Sequence, residues 1–170
     1  MDILTAKGQQ SAKDEQDAIN IWLNRYPAFS YMHTNKDRES AVDGCIVKDG
    51  SIHAIVETKC RYNLSVEKFM KEYGGMWLVT FDKIMVARSL SKKLCAPLIG
   101  FLYLVDDKTL LFKKIIDDNG EFACGDMLVK KTLTQRTINN TNQIARDNAF
   151  IDMSDAKIIT SKSYASSPTW

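Results

Sequence analysis

The segment that most constrains the fold is residues 41–61, where two strand-like stretches flank the dipeptide Asp49-Gly50. Asp-Gly between two apolar runs is the strongest short-range signal for a β-hairpin, because both residues accept the positive φ angles of a tight turn. We therefore predict antiparallel strands over residues 41–48 and 51–61. A chain with this hairpin at its centre is expected to fold around a β-sheet.

Further elements follow from hydrophobic periodicity and from the residues that end helices and strands. A helix is predicted over about residues 12–25, begun by Ser11 and ended by Pro27. The apolar run 76–81 fits either a buried strand or the start of a helix. The other predicted elements are a strand at 29–33, helices at 66–73 and 82–94, and strands at 98–105 and 109–116.

The last quarter of the chain gives a weaker signal. The stretch 130–148 is polar and rich in amide side chains, with four basic residues, and no element is predicted there. Residues 161–170 are rich in Ser and resemble a flexible tail. A chain of 170 residues has the usual length of one domain, so we expect a single domain over residues 1–160.

Composition excludes several classes of protein. Twenty-three Lys and Arg against 21 Asp and Glu leave a net charge of only +2, so any nucleic-acid surface must come from local charge. The four cysteines lack zinc-ligand spacing and are expected as free thiols. The N-terminus lacks a secretory signal, and the longest apolar run, 94–105, is too short for a transmembrane helix. We expect a cytoplasmic protein that makes no membrane contact.

The predicted hairpin concentrates ionisable residues. Side chains alternate along a strand, so Glu57, Lys59 and Arg61 share one face of the second strand. Hairpin pairing brings the start of the first strand beside the end of the second, which puts Asp43 within reach of Glu57. Two converging carboxylates repel each other unless a cation lies between them. Mg²⁺ fits this role, because it prefers hard oxygen ligands and binds through one or two carboxylates plus substrate phosphate.

The order Asp43, then Glu57-Thr58-Lys59 on the next strand, resembles the PD-(D/E)xK nuclease superfamily. That superfamily places an acidic residue on one strand and an acid-x-lysine on the next, within a core of helix, three-stranded meander, helix and strand. The resemblance covers residues 11–116, with Val42 at the position of the motif's proline. It implies an α/β fold with a restriction-endonuclease-like core, in which helices flank a mixed β-sheet.

The resemblance also implies roles for individual residues. Asp43 and Glu57 would hold Mg²⁺, for which Mn²⁺ can substitute, and the Thr58 carbonyl would complete the ligand shell. Lys59 would assist the nucleophile. Glu15 matches an extra acidic ligand on the first helix of the family, although a first-turn carboxylate there also suits the helix dipole.

Two basic residues are candidates for binding nucleic acid. Arg61 extends the active face and could hold a phosphate, or it is simply exposed at the strand end. Lys83 resembles a lysine of some phage nuclease-like proteins, or it is a solvated lysine at a helix start.

The expected function is a metal-dependent phosphodiesterase that cleaves DNA, with endonuclease activity favoured and a small phage-type nuclease as the nearest description. One alternative is a silent member of the fold that binds nucleic acid or a protein, as in phage takeover or defence evasion. Another alternative is a member that cleaves RNA. DNA is the expected partner, and a homodimer is left open.

Overall fold

The computed structural model describes residues 5–35, 40–135 and 143–161. These residues form a mixed α/β fold with a mixed six-stranded sheet, a second sheet of three antiparallel strands, and three helices. The elements in chain order are α1 (Ala6–Arg25), β1 (Ser30–His33), β2 (Gly44–Lys48), β3 (Ser51–Arg61), α2 (Val66–Glu72), β4 (Met76–Thr80), α3 (Phe81–Leu94), β5 (Leu98–Leu104), β6 (Thr109–Ile116), β7 (Met127–Gln135), β8 (Gln143–Asp152) and β9 (Lys157–Thr160).

The large sheet has the order β1-β2-β3-β5-β6-β9. Its one parallel pair is β3 with β5, and the chain between these strands runs through α2, β4 and α3. A parallel connection needs such a crossover, because the chain must return to the same end of the sheet. The crossover brings β4 and the start of α3 over the sheet, and β4 joins the second sheet in the order β4-β8-β7.

Both faces of the large sheet are buried, each by a different layer. Helix α1 packs Ala18, Ile21 and Trp22 on the face that carries Ala54 and Val56. The opposite face, with Ile55 and Leu102, packs against Trp77, Ile84 and Ile151 from the second sheet and α3. Alternation along β3 therefore assigns each of its side chains to one of two cores.

The predicted hairpin is confirmed. Asp49 and Gly50 have φ angles of 50° and 75°, as a tight two-residue turn requires, and β2 pairs antiparallel with β3. The predicted first strand began at residue 41, whereas β2 begins at Gly44. The ladder ends there because the Asp43 side chain accepts a hydrogen bond from a β3 backbone N–H that a continuing β2 would otherwise pair.

Helix α1 begins at Ala6 and not near residue 12. Thr5 is the N-cap, and its hydroxyl accepts a hydrogen bond from the Gly8 backbone N–H at 3.0 Å. Ser11, the predicted cap, lies inside the helix. The run 76–81 divides between the two predicted alternatives, with β4 over Met76–Thr80 and α3 starting directly at Phe81.

The region without predicted elements contains three strands. Strands β7 and β8 form a long antiparallel pair, and β9 joins the edge of the large sheet beside β6. The predicted tail falls on residues 161–170, of which 162–170 lie outside the described part of the chain. All four cysteines are free, as expected. Among the described residues, no helix has the length and apolar character needed to cross a membrane.

Candidate active site

Glu57 is the centre of a group of charged side chains. It is 2% exposed, and its Oε1 accepts a hydrogen bond from Lys59 Nζ at 2.6 Å. Lys83 Nζ donates to Oε1 at 2.9 Å and to Oε2 at 3.2 Å. One buried carboxylate is therefore held by two ammonium groups.

The crossover between β3 and β5 places Lys83 beside Glu57. Thr80 ends β4 and is the N-cap of α3, so Lys83 lies in the first turn of that helix, above the face that carries Glu57. Gly100 on β5 lies opposite Glu57, and a Cβ there would come within 2.5 Å of the Trp77 ring. Trp77 therefore packs directly on the sheet beside the charged group.

Asp43 lies where β2 separates from β3, and two hydrogen bonds to β3 fix its orientation there. Its backbone N–H donates to Val56 O at 2.9 Å, and its Oδ2 accepts the Thr58 backbone N–H at 2.8 Å. Its Oδ1 lies 3.9 Å from Lys83 Nζ. Lys83 thus contacts both carboxylates that the sequence predicted to converge.

The electrostatics of the group explain how two carboxylates coexist here. Burial by itself lowers the pKa of the Lys59 ammonium, but the charges of Glu57 and Asp43 and the hydrogen bond to Glu57 outweigh it, so the net shift is upward. The two carboxylates therefore favour the charged form of Lys59. The repulsion that sequence reasoning assigned to a metal is already balanced by Lys59 and Lys83.

The donor set suits a hard divalent cation that brings its own water. Asp43 and Glu57 offer carboxylate oxygens, and Mg²⁺ in proteins commonly binds through one or two carboxylates together with substrate phosphates. Within the described ranges, no three His, Cys, Asp or Glu side chains are grouped closely enough to hold a metal ion. The residues present thus fit a cation with two protein carboxylates and not a cage of three.

Glu15, the predicted further ligand, lies on α1. It is 7% exposed on α1, the helix that covers the sheet face opposite to Glu57. Its neighbour Asp14 is 2% exposed and accepts hydrogen bonds from Gln10 Nε2 at 2.9 Å and from the Tyr62 hydroxyl. The predicted role of Glu15 as a further ligand stays a prediction, and its charge, like those of Asp43 and Glu57, raises the pKa of Tyr31.

Thr58 and Arg61 take separate positions. The Thr58 side chain points to the α1 face, and its buried hydroxyl has no hydrogen-bond partner among the described residues. Arg61 lies further along the Glu57 face and donates to Cys60 O at 3.2 Å and to Leu78 O at 3.5 Å. Burial lowers the pKa of Arg61, yet a guanidinium stays charged. Arg61 is therefore a half-buried cation, and a guanidinium has five N–H donors.

Tyr31 is a residue near this site that sequence reasoning missed. Its ring end lies against Gly44, the residue after Asp43, and its buried hydroxyl has no hydrogen-bond partner in the part of the chain that the structure describes. Burial, and then the charges of Asp43, Glu15, Cys45 and Glu57, raise its pKa strongly, so it keeps its proton. The only signal in the sequence is the small residue at 44, which leaves room for a large one on β1.

Gly44→Ala is expected to destabilise the protein by about 1–3 kcal/mol, because overpacking displaces neighbouring groups. The added Cβ would clash with the hydroxyl end of the Tyr31 ring. Urea denaturation of Gly44→Ala, Tyr31→Ala and the double variant measures this effect. The cost of Gly44→Ala should shrink by about 1 kcal/mol in the Tyr31→Ala background, and an equal cost in both backgrounds would contradict the clash.

Comparisons with known proteins add no further constraint. No protein-family model matches the chain, and no curated protein matches its sequence.

Proposed function

We propose that this chain is a metal-dependent nuclease with a restriction-endonuclease-like core, cleaving DNA as an endonuclease. One observation carries the proposal: Glu57 is buried at 2% exposure, contacts Lys59, and shares Lys83 with Asp43. Burying a carboxylate such as Glu57 is costly. A protein is expected to bear this cost where the buried carboxylate takes part in a reaction.

The proposed roles follow from position. Asp43 and Glu57, with the Thr58 carbonyl, would hold Mg²⁺ or Mn²⁺, which supplies charge neutralisation and activation of water at a phosphodiester. Lys59 is a cation at neutral pH and would stabilise the negative charge that develops on the phosphate. Asp43 keeps its orientation through the Thr58 N–H whatever its other oxygen binds.

Lys83 and Arg61 complete the proposed site. Lys83 keeps the Glu57 carboxylate in place before substrate arrives and offers its ammonium group to the phosphate afterwards. Arg61 lies two residues beyond Lys59 on the same strand face, about 7 Å along β3, and would bind a neighbouring phosphate. The strand thus presents a short row of cations to a nucleic-acid backbone.

The alternative is a silent nuclease fold that binds nucleic acid or a protein. It is favoured by one observation: Glu57 Oε1 already accepts hydrogen bonds from both lysines, so the charges form a self-sufficient network. This alternative predicts a folded protein that shows no cleavage under any metal condition.

A time course on supercoiled plasmid, with Mg²⁺, Mn²⁺ or EDTA, tests the proposal. Wild type should nick or linearise the plasmid only with metal, and Asp43→Asn should slow cleavage by at least about 10³-fold, because an amide is a poor ligand for a hard cation. The amide oxygen can still accept the Thr58 N–H, so the fold should be kept.

Asp117→Asn is the matched control. Asp117 Oδ1 accepts backbone N–H groups of Asn119 and Glu121 at 3.0 and 2.8 Å, in a turn away from the site. This variant should cleave like wild type. Intact plasmid in every lane would overturn the DNA nuclease in favour of the silent fold, unless a parallel RNA substrate is cut with metal, which would support the RNA-cleaving alternative.

A further inference from the structure

Strands β7 and β8 extend beyond the second sheet as a two-stranded ribbon. β4 pairs with β8 only over Met76–Thr80, and its last pair joins Thr80 to Asn148, which in turn pairs with Lys130. Beyond that row, residues 131–135 pair only with residues 143–147. We call these two segments the arm. Five residues per strand give it a length of about 17 Å.

The arm leaves the body at the active-site end of β4. Thr80 is both the last residue of β4 and the N-cap of α3, and Lys83 follows within the first helical turn. The arm continues past the row of paired residues that contains Thr80. It therefore begins beside the first turn of α3, where Lys83 contacts Glu57. Arg61, the candidate phosphate contact, lies beside the same strand. Its Nη2 donates a hydrogen bond to Leu78 O of β4 at 3.5 Å.

The arm and its first row carry more positive than negative charge. Lys130 and Lys131 are exposed, Arg146 is half-buried, and Asp147 is the one acidic residue among the described residues 130–135 and 143–148. Leu133 is 64% exposed, although it lies in the middle of its strand. An Asn148 Nδ2 hydrogen bond to Thr132 Oγ1 at 2.7 Å ties the first row to the arm. Residues 130–135 and 143–148 thus carry a net positive charge, and one face of the arm is half-buried, with the Thr134 hydroxyl among its buried atoms.

We propose that the arm binds in a groove of duplex DNA and holds the duplex against the site at Glu57. This inference rests on the proposed function, in that DNA is the substrate. The major groove is about 12 Å wide and about 8.5 Å deep, and it admits a two-stranded β-ribbon. Lys130, Lys131 and Arg146 would contact the phosphates that border the groove.

The charge pattern argues against a second copy of this chain as the occupant. β7 is an edge strand, and pairing it antiparallel with itself about its centre would put Lys131 directly opposite Lys131 of the other copy. Like charges opposite each other destabilise a sheet, and lysines on edge strands prevent such pairing. The same lysines favour a polyanion.

Binding is best measured in EDTA, where cleavage does not interfere. Fluorescence anisotropy would use a 20-bp duplex and one of its strands as probes, over a salt series. Lys130→Ala/Lys131→Ala should lower duplex affinity by roughly 10- to 60-fold near 0.1 M salt and reduce the salt slope by about 1.8, if each lysine makes one phosphate contact. Affinity for the single strand should fall much less.

Lys92→Ala/Lys93→Ala is the matched control. These two adjacent exposed lysines lie in the last turn of α3, at the opposite end from Lys83, and their removal changes net charge equally. Duplex affinity of this control should stay within about twofold of wild type. Equal losses in both double variants, no loss in the arm variant, or a wild type that binds no duplex would each overturn the inference.

The result separates the arm from the nuclease proposal. A wild type that binds duplex DNA through the arm but cuts no nucleic acid with Mg²⁺ or Mn²⁺ would support the arm and refute the nuclease. A wild type that cuts plasmid while the arm variant binds duplex unchanged would support the nuclease and refute the arm.

Discussion

Glu57→Ala is expected to abolish cleavage and also to cost about 2–3 kcal/mol of stability in EDTA. The substitution leaves Lys59 and Lys83, whose side chains are 27% and 38% exposed, beside an apolar core without their shared partner. Removing one member of a buried pair typically costs about 3–5 kcal/mol. The two lysines can turn partly into water, which reduces that cost. Urea denaturation and a plasmid assay measure the two effects.

Glu67→Ala is the control that isolates burial. Glu67 accepts a hydrogen bond from Lys71 at the same 2.6 Å, on the exposed surface of α2, where the two side chains are 74% and 72% exposed. Such a pair contributes about 0.3–0.5 kcal/mol, and its loss should not affect cleavage. If Glu57→Ala and Glu67→Ala cost the same stability, Glu57 is not the buried centre of a charged group.

The central hairpin could be predicted because its determinants are local. Asp49 and Gly50 specify the turn, and alternation along β3 specifies which residues share a face with Glu57. These two facts bring Glu57 and Lys59 together and put Asp43 beside them. The contact between Lys83 and Glu57 could not be predicted in this way, because the position of Lys83 depends on the length of the crossover through α2 and β4. The sequence pattern does not set that length.

The missed strands have a physical reason as well. β7 and β8 place polar residues such as Thr132, Thr134 and Gln143 in a two-stranded ribbon beyond β4, so their sequence lacks the apolar alternation that predicts a strand. Glu15 matched a family position along the chain, its helix packs on the other face of the sheet, and its role as a ligand stays a prediction.

The shared contact of Lys59 and Lys83 with one carboxylate has a consequence for metal binding. Each ammonium occupies an oxygen that a divalent cation would need, so the lysines and the cation compete for Glu57 before substrate arrives. Once a phosphate is present, the lysines have another anionic partner, and the competition weakens. The same two residues therefore stabilise the resting site and, in the proposed reaction, serve the substrate.

Lys59→Met should cut DNA about 10²- to 10³-fold more slowly in single-turnover assays, because it loses a charge contact made as the phosphate becomes more negative. Lys83→Met should lose only about tenfold, the effect of one charge-assisted hydrogen bond that holds Glu57 in place. Calorimetric titration without DNA should give equal or tighter Mg²⁺ binding in both variants, since each substitution frees a Glu57 oxygen.

Lys113→Met is the control for removing a mostly buried lysine. Lys113 is 11% exposed on β6, donates to Asp152 O at 3.0 Å, and is separated from Glu57 by the Trp77 ring packed on Gly100. It should lose stability without changing cleavage rate or Mg²⁺ affinity. Weaker Mg²⁺ binding in Lys59→Met would contradict competition at Glu57, because a cation that shares the carboxylate with an ammonium gains when the ammonium is removed. A wild-type cleavage rate in Lys59→Met would remove this residue from the reaction and leave it as a structural partner of Glu57.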